Sequence, residues 1–213
     1  MLHTETVAPE TLELLSRLMQ DSYFNNFVLV GGTSISLQLG HRISIDLDLF
    51  SNESFDEQKL IDHLRQNYNF ELDFFDKETV KGEINSVKID CIAHKYRWID
   101  EHILENGIRL ASTNDLVAMK LNAIIGNGTR LKDFIDIAYL SKIISLNEMI
   151  QAYQTKYNSN GVMILKALAF FDDINFMEPI ILLNNQKYDW NKIKKHLLLM
   201  IKYPNRVFVS SEF

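Results

Sequence analysis

The hydrophobic period of this chain changes near residue 110, and the change limits what it can fold into. Before that point short apolar runs alternate with helical stretches. After it, helical spacing dominates. Residues 10–19 carry apolar side chains at helical intervals. Phe27-Val28-Leu29-Val30 is a short run rich in β-branched residues, the pattern of a buried strand, and Gly31-Gly32 ends it. Residues 33–39 predict a short helix closed by Gly40. Residues 44–50 alternate polar and apolar, which predicts a strand with two unlike faces. A helix over 54–68 and strands over 70–75 and 86–93 complete this half. Helices are predicted over 114–125, 130–144, 161–171 and 189–201. The fold class is therefore α+β. A mixed sheet with flanking helices occupies residues 1–110, and a helical lobe over 111–213 packs against it, with a cleft between. With 3 prolines, 8 glycines and no Gly/Ser-rich linker, the boundary is soft.

Composition narrows the setting. At 46% hydrophobic and 23% charged residues, the chain reads as an ordinary soluble protein, long enough to bury a core without staples. Cys91 is the single cysteine, so no internal disulfide can form, and a reducing compartment fits. The start of the chain lacks a basic segment followed by an apolar one. No stretch approaches the ~18 apolar residues of a membrane span. The predicted location is cytoplasmic, with no membrane partner. A net charge of −6 argues against a general nucleic-acid coat and leaves room for a local basic patch.

The chemistry concentrates between Gly31 and Asp48. Side chains at i and i+2 of a strand share a face, so Asp46 and Asp48 project together while Ile45, Leu47 and Leu49 face the other way. Paired carboxylates repel unless a cation sits between them. Magnesium favours a few carboxylate oxygens plus waters and substrate phosphates, and two ions ~3.5–4 Å apart suit displacement at phosphorus. Gly31-Gly32 ahead of a helix N-terminus forms a seat for an anion, because glycine admits close approach and the first N–H groups are free. Thr33 and Ser34 could add hydroxyl donors, and Arg42 a planar fork for a triphosphate. A third carboxylate, Asp90, lies in the otherwise apolar run Val87-Lys88-Ile89-Asp90-Cys91-Ile92. It serves as metal ligand, or as general base on an acceptor hydroxyl. Each part has a plainer reading too. A Gly-Gly pair can be only a tight turn, an Asp-x-Asp strand can be only a solvated face, and Lys88 with Asp90 can simply be exposed.

Two blocks resemble a known family. Gly31-Gly32-Thr33-Ser34-x5-Gly40-His41-Arg42-x-Ser44-x-Asp46-x-Asp48-Leu49-Phe50 is similar to the first motifs of the AbiEii/AbiGii toxin nucleotidyltransferases, within the DNA polymerase β-like superfamily. Lys120-x9-Arg130-x-Lys132-Asp133-x2-Asp136-Ile137-Ala138-x-Leu140 resembles the family's lysine helix and the Asp-x-x-Asp helix after it. The resemblance implies a nucleotidyltransferase-type sheet, one or two Mg²⁺ ions, and transfer of a nucleoside monophosphate from a nucleoside triphosphate (NTP). It also implies a toxin of a bacterial toxin–antitoxin or phage-defence system, with a tRNA or other RNA acceptor and a cognate antitoxin as partners. By that likeness Gly32, Thr33 and Ser34 bind phosphate, Asp46 and Asp48 bind metal, and Lys120 and Asp133 belong to the later catalytic motif. Asp133 and Asp136, at i and i+3, share a helix face, and Lys120 falls on the preceding helix. Without the resemblance the favoured reading is a surface salt-bridge pattern, worth under ~1 kcal/mol per pair; with it, a functional role is expected.

Two other functions remain open. One is a catalytically inactive protein that binds nucleotide or an antitoxin. The other is a nucleotidyltransferase acting on a cationic small molecule of the aminoglycoside kind, which the acidic net charge would suit. Other features read as structural: His41 beside the glycine turn, Cys91 as a core residue, Phe170, Phe171 and Phe176 as core or inter-lobe contacts, and Lys192, Lys194, Lys195 and Lys202 as a solvated helix face.

Overall fold

The computed structural model describes residues 1–183 and 187–210. The first half contains α1 (Pro9–Gln20), β1 (Val28–Val30), α2 (Gly31–Leu39), β2 (Leu47–Ser51), α3 (Glu57–Tyr68), β3 (Phe70–Asp76), β4 (Thr79–Ile84), β5 (Val87–Ala93), β6 (Ile103–Glu105) and β7 (Ile108–Leu110). The second half contains α4 (Thr113–Gly126), α5 (Leu131–Leu140), α6 (Leu146–Tyr157), α7 (Val162–Ala169) and α8 (Trp190–Lys202). Among the described residues the strands form one mixed sheet in the order β3-β4-β5-β2-β1-β7-β6. The predicted α+β class, with a sheet-bearing half followed by a helical half, is what the chain adopts.

Register places the site. β1 pairs antiparallel with β2, setting Val30 opposite Asp48. β2 pairs parallel with β5, setting Asp48 opposite Asp90. β4 extends the row by setting Lys81 opposite Asp90. The inward faces of β2 and β5 hold this register. Leu47, Leu49, Ile89 and Cys91 are buried with Leu14, Leu15 and Leu18 of α1 and Leu60, Ile61 and Leu64 of α3. Burying each such leucine contributes about 1.5–3 kcal/mol. A one-residue slip of β2 would swap these leucines for Asp48, so the side the aspartate faces is strongly specified.

The opposite sheet face is only partly covered. Val28 and Val30 of β1 and Ile35 of α2 share a core with α4, α5 and the helices beyond, so apolar packing continues across residue 110. The helices cover β1 and leave the polar faces of β2 and β5 lining a cleft.

Several boundaries differ from expectation. The helix predicted over 54–68 begins at Glu57, because Asp56 caps it by accepting from the Lys59 N–H at 3.0 Å. The helix predicted over 130–144 ends at Leu140. Strands β4, β6 and β7 and helix α6 fall outside the predicted elements.

Candidate active site

The glycine turn and the acidic strand are built against each other. Gly31 has φ +68°, and a Cβ there would lie 1.9 Å from Asp48 Oδ2. A Cβ on Gly32 would lie 2.2 Å from Arg42 Nη2. The turn therefore needs glycine at both positions, one against each of its neighbours. Thr33 and Ser34 depart from expectation. The Thr33 hydroxyl bonds the Asp46 carbonyl oxygen and lies 2.9 Å from Ser44 Oγ, while Ser34 Oγ accepts from Gln38 Nε2 at 3.2 Å. Both residues are buried. The Thr33 hydroxyl ties α2 to the segment before β2, the Ser34 hydroxyl bonds within α2, and neither residue is among those lining the cleft.

Asp46 immediately precedes β2, and Asp48 lies within it. Both line the cleft with Asp90. Among the described residues no hydrogen bond or ion pair occupies either the Asp46 or the Asp48 carboxylate, whereas Asp90 pairs with Lys81. Burial holds the Asp48 carboxyl above its ordinary value. Lys120 pulls it down, and Asp90 and Asp46 push it further up. Among the described residues no three His, Cys, Asp or Glu side chains are gathered closely enough to hold a metal ion by themselves. The carboxylates still suit magnesium, which needs only one or two of them when substrate phosphates complete the shell.

Beneath the turn lies a buried charge network that links the two halves. Arg42 grips Asp136 with two bonds, Nε–Oδ1 at 2.7 Å and Nη2–Oδ2 at 3.0 Å, and His41 Nε2 lies 2.7 Å from Asp136 Oδ1. Lys120 Nζ reaches Asp133 Oδ1 at 2.5 Å and Asp136 Oδ2 at 2.9 Å. All five residues are buried. Burial alone would push the Asp136 carboxyl up, but Arg42, Lys120 and His41 hold it well below its ordinary value. Burial likewise works against the Lys120 ammonium, and Asp133 with Asp136 outweighs it, leaving the lysine firmly charged. The plainer alternative for Lys120, Asp133 and Asp136, a surface salt-bridge pattern, does not fit their burial. One expectation changes. Arg42 spends its fork on Asp136, so it supports the floor of the site and is not a free triphosphate clamp. His41 is structural, as expected. Asp133 Oδ2 is buried without a hydrogen-bond partner, with Arg130 Nε 3.7 Å away.

The cleft has a volume of about 660 Å³. Its lining includes Gly31, Asp46, Asp48, Asp90, Lys120 and Asp133, and also Phe50 and Ile92, a register pair two positions along from Asp48 and Asp90, with His94, Leu116 and Tyr157. Sequence reasoning found the first group and missed the second. It also missed Lys81 as the partner of Asp90, although alternation along Thr79-Val80-Lys81-Gly82 carried a strand signal. Elsewhere Cys91 is a buried core residue and Phe171 packs against Phe134 and Trp190, as expected. Phe170 and Phe176 are exposed, and Lys192, Lys194, Lys195 and Lys202 form a solvated face.

Comparison with known proteins agrees with this geometry. A protein from Aquifex aeolicus (strain VF5), aq_aa25, is 29% identical over 175 residues, covering 77% of this chain and 82% of that one. A crystal structure of a candidate nucleotidyltransferase from H. pylori superposes with TM-score 0.56 at 17% identity, covering 93% of this chain and 96% of that one. An antigenic nucleotidyltransferase-like protein from Paracoccidioides brasiliensis gives TM-score 0.50 at 17% identity, over 76% of this chain and 88% of that one. At these identities the two structures show a shared fold. The profile described as "Nucleotidyl transferase AbiEii toxin, Type IV TA system" matches residues 13–203. That span takes in the glycine turn, the acidic row and the charge network alike, and the chain belongs to the AbiEii family of nucleotidyltransferases.

Proposed function

We propose that the protein transfers a nucleoside monophosphate from an NTP to an acceptor hydroxyl. The observation that carries this reading is the row Asp48–Asp90 lying in one cleft against the glycine turn, with Asp48 unpaired and held above its ordinary pKa. Asp46 and Asp48, with Asp90 beside them, would hold Mg²⁺. When bound, the metal would offset the negative charge that gathers on phosphate oxygens in the transition state. The Gly31–Gly32 backbone lets the triphosphate approach the start of α2. Lys120, charged and facing the cleft, opposes the triphosphate charge, with Arg130 and Lys132 further along the wall. Asp90 takes the acceptor proton as the hydroxyl oxygen attacks the α-phosphorus and pyrophosphate departs. Lys81, its ion-pair partner, holds the carboxylate at the cleft wall.

In this reading residues 1–110 carry the acidic row, and 111–213 supply Lys120 and Asp133. The family description favours a toxin with an antitoxin partner, and an RNA acceptor is the substrate to try first. Among the described residues no helix is long and apolar enough to cross a membrane, and the buried thiol Cys91 suits a reducing cytoplasm. The test is incubation with each α-labelled NTP and Mg²⁺ against separated RNA, protein and small-molecule fractions. Label should enter one fraction with the wild type and none with Asp48→Asn. A variant that labels as well as the wild type overturns the assignment. Tight NTP binding without any transfer would favour a catalytically inactive binding protein.

A further inference from the structure

We propose that Phe50, His94 and Tyr157 form the nucleobase subsite of the cleft, the surface on which the base of the NTP lies while its phosphates occupy the acidic end. This rests on the nucleotidyl-transfer reading above and goes beyond it.

Placement is the first support. Phe50 follows Asp48 by two residues on the same strand face, about 6.6 Å further along. The chain leaving β5 continues in that direction, with the His94 N–H donating to Ser51 O at 2.7 Å. The three rings meet: Phe50 and His94 have centroids 5.5 Å apart, and His94 and Tyr157 have centroids 5.7 Å apart, edge to face. His94 Nε2 and the Tyr157 hydroxyl are 3.1 Å apart. On α4, Leu116 lies one turn from Lys120, and both line the cleft. Along both walls a charged region therefore gives way to an apolar and aromatic one.

Chemistry is the second. Burial and the nearby Lys156 push His94 down to about 4, and burial pushes the Tyr157 hydroxyl up, so both are neutral at physiological pH. Neutral rings suit an uncharged heterocycle and bring no positive charge to a phosphate. Bases stack on such surfaces irrespective of their edges.

Rigidity is the third. Asp115 and Lys156 form a fully buried ion pair at 2.7 Å. Asp115 also accepts from Ile99 N at 3.1 Å and Ser112 Oγ at 2.7 Å, and Lys156 donates to Arg97 O at 3.2 Å. Tyr157 is the next residue after Lys156, and the clamped loop begins just after His94. One buried pair thus fixes both flanks of the aromatic wall, as a preorganised subsite requires.

Calorimetry in Mg²⁺ with the four NTPs and with inorganic tripolyphosphate, a probe without a base, tests the proposal. Tyr157→Ala should weaken the best-bound NTP about tenfold and leave tripolyphosphate within about twofold. Tyr157→Phe should bind like the wild type. Tyr157→Leu keeps apolar bulk without a π face and should lose NTP affinity as the alanine variant does. It decides the matter if the alanine variant fails to fold. Equal losses for NTP and tripolyphosphate, or no loss for either, overturn the subsite. A wild type that binds tripolyphosphate as well as every NTP overturns the subsite and leaves nucleotidyl transfer standing. A wild type that binds neither overturns both.

Discussion

Replacing Gly31 with alanine separates what the glycine turn does for catalysis from what it does for folding. Two costs can be worked from the structure. A left-handed φ of +68° in a residue with a Cβ costs about 1–2 kcal/mol. For a chain of this size that lowers Tm by about 2–8 °C. The second cost is positional. The new methyl would stand 1.9 Å from Asp48 Oδ2, 2.7 Å from its Cγ and 3.0 Å from its Cβ, so the whole carboxylate must swing aside. Displacing a group at the reacting centre by about 1 Å can cost about 10²-fold in rate. Gly31→Ala should therefore remain folded, lose a few degrees of Tm, and fall about 10²-fold or more in transfer of label from an α-labelled NTP. Gly107→Ala is the control. Gly107 has φ +78° and nothing within 4 Å of the new Cβ, so it should lose a similar few degrees with turnover unchanged. If Gly31→Ala turns over within about threefold of the wild type, or if Gly107→Ala loses activity in parallel, the contact between turn and carboxylate is not what the reaction depends on.

Two further predictions concern charge. The folded-state pKa of Asp48 lies above its ordinary 3.8, so its contribution to stability is full below that value and is lost as pH rises through the folded pKa. Above its folded pKa and without metal, the buried carboxylate weakens the fold. Asp48→Asn should then raise Tm in metal-free buffer, while Mg²⁺ raises the wild-type Tm and leaves the variant unchanged; a lower Tm for the variant contradicts this. Asp136 runs the opposite way. Its pKa is held well below 3.8, so its stabilisation is present above that value and disappears only as pH falls through the much lower folded pKa. Asp136→Asn leaves Arg42 buried against a neutral amide and Lys120 with Asp133 alone, at a cost of about 3–5 kcal/mol. Thermal melting at pH 7 should show a fall of about 6–20 °C, and one under about 3 °C would mean the network contributes little.

The sequence carried the acidic row more legibly than the sheet around it. Alternation along Leu47-Asp48-Leu49 gives facing directly, and Gly31-Gly32 announces close approach. Period reasoning could not supply which strand lies next to which, so the pairing of Asp48 with Asp90 had to come from the structure. Some missed elements had local signals. Asn106 and Gly107, with φ of 52° and 78°, form the two-residue turn between β6 and β7, and Asn-Gly is a strong hairpin sign. Ser145 and Glu148 form a capping box at the start of α6. Others had none. Nothing local says that Arg42 meets Asp136 across the fold, or that Thr33 turns its hydroxyl toward Asp46, because both depend on packing between distant segments. The aromatic end of the cleft was invisible for the same reason. Phe50, His94 and Tyr157 come from three separate parts of the chain.

The cross-tie through Arg42, Asp136 and Lys120 has a consequence for how the molecule works. Swinging α4 and α5 away from the sheet would break the paired bonds from Arg42 to Asp136. The tie therefore opposes widening of the gap between the walls. In the proposed reaction, substrate would enter and pyrophosphate leave without breaking this tie. A fragment ending at residue 110 would lack Asp136, the carboxylate that receives Arg42.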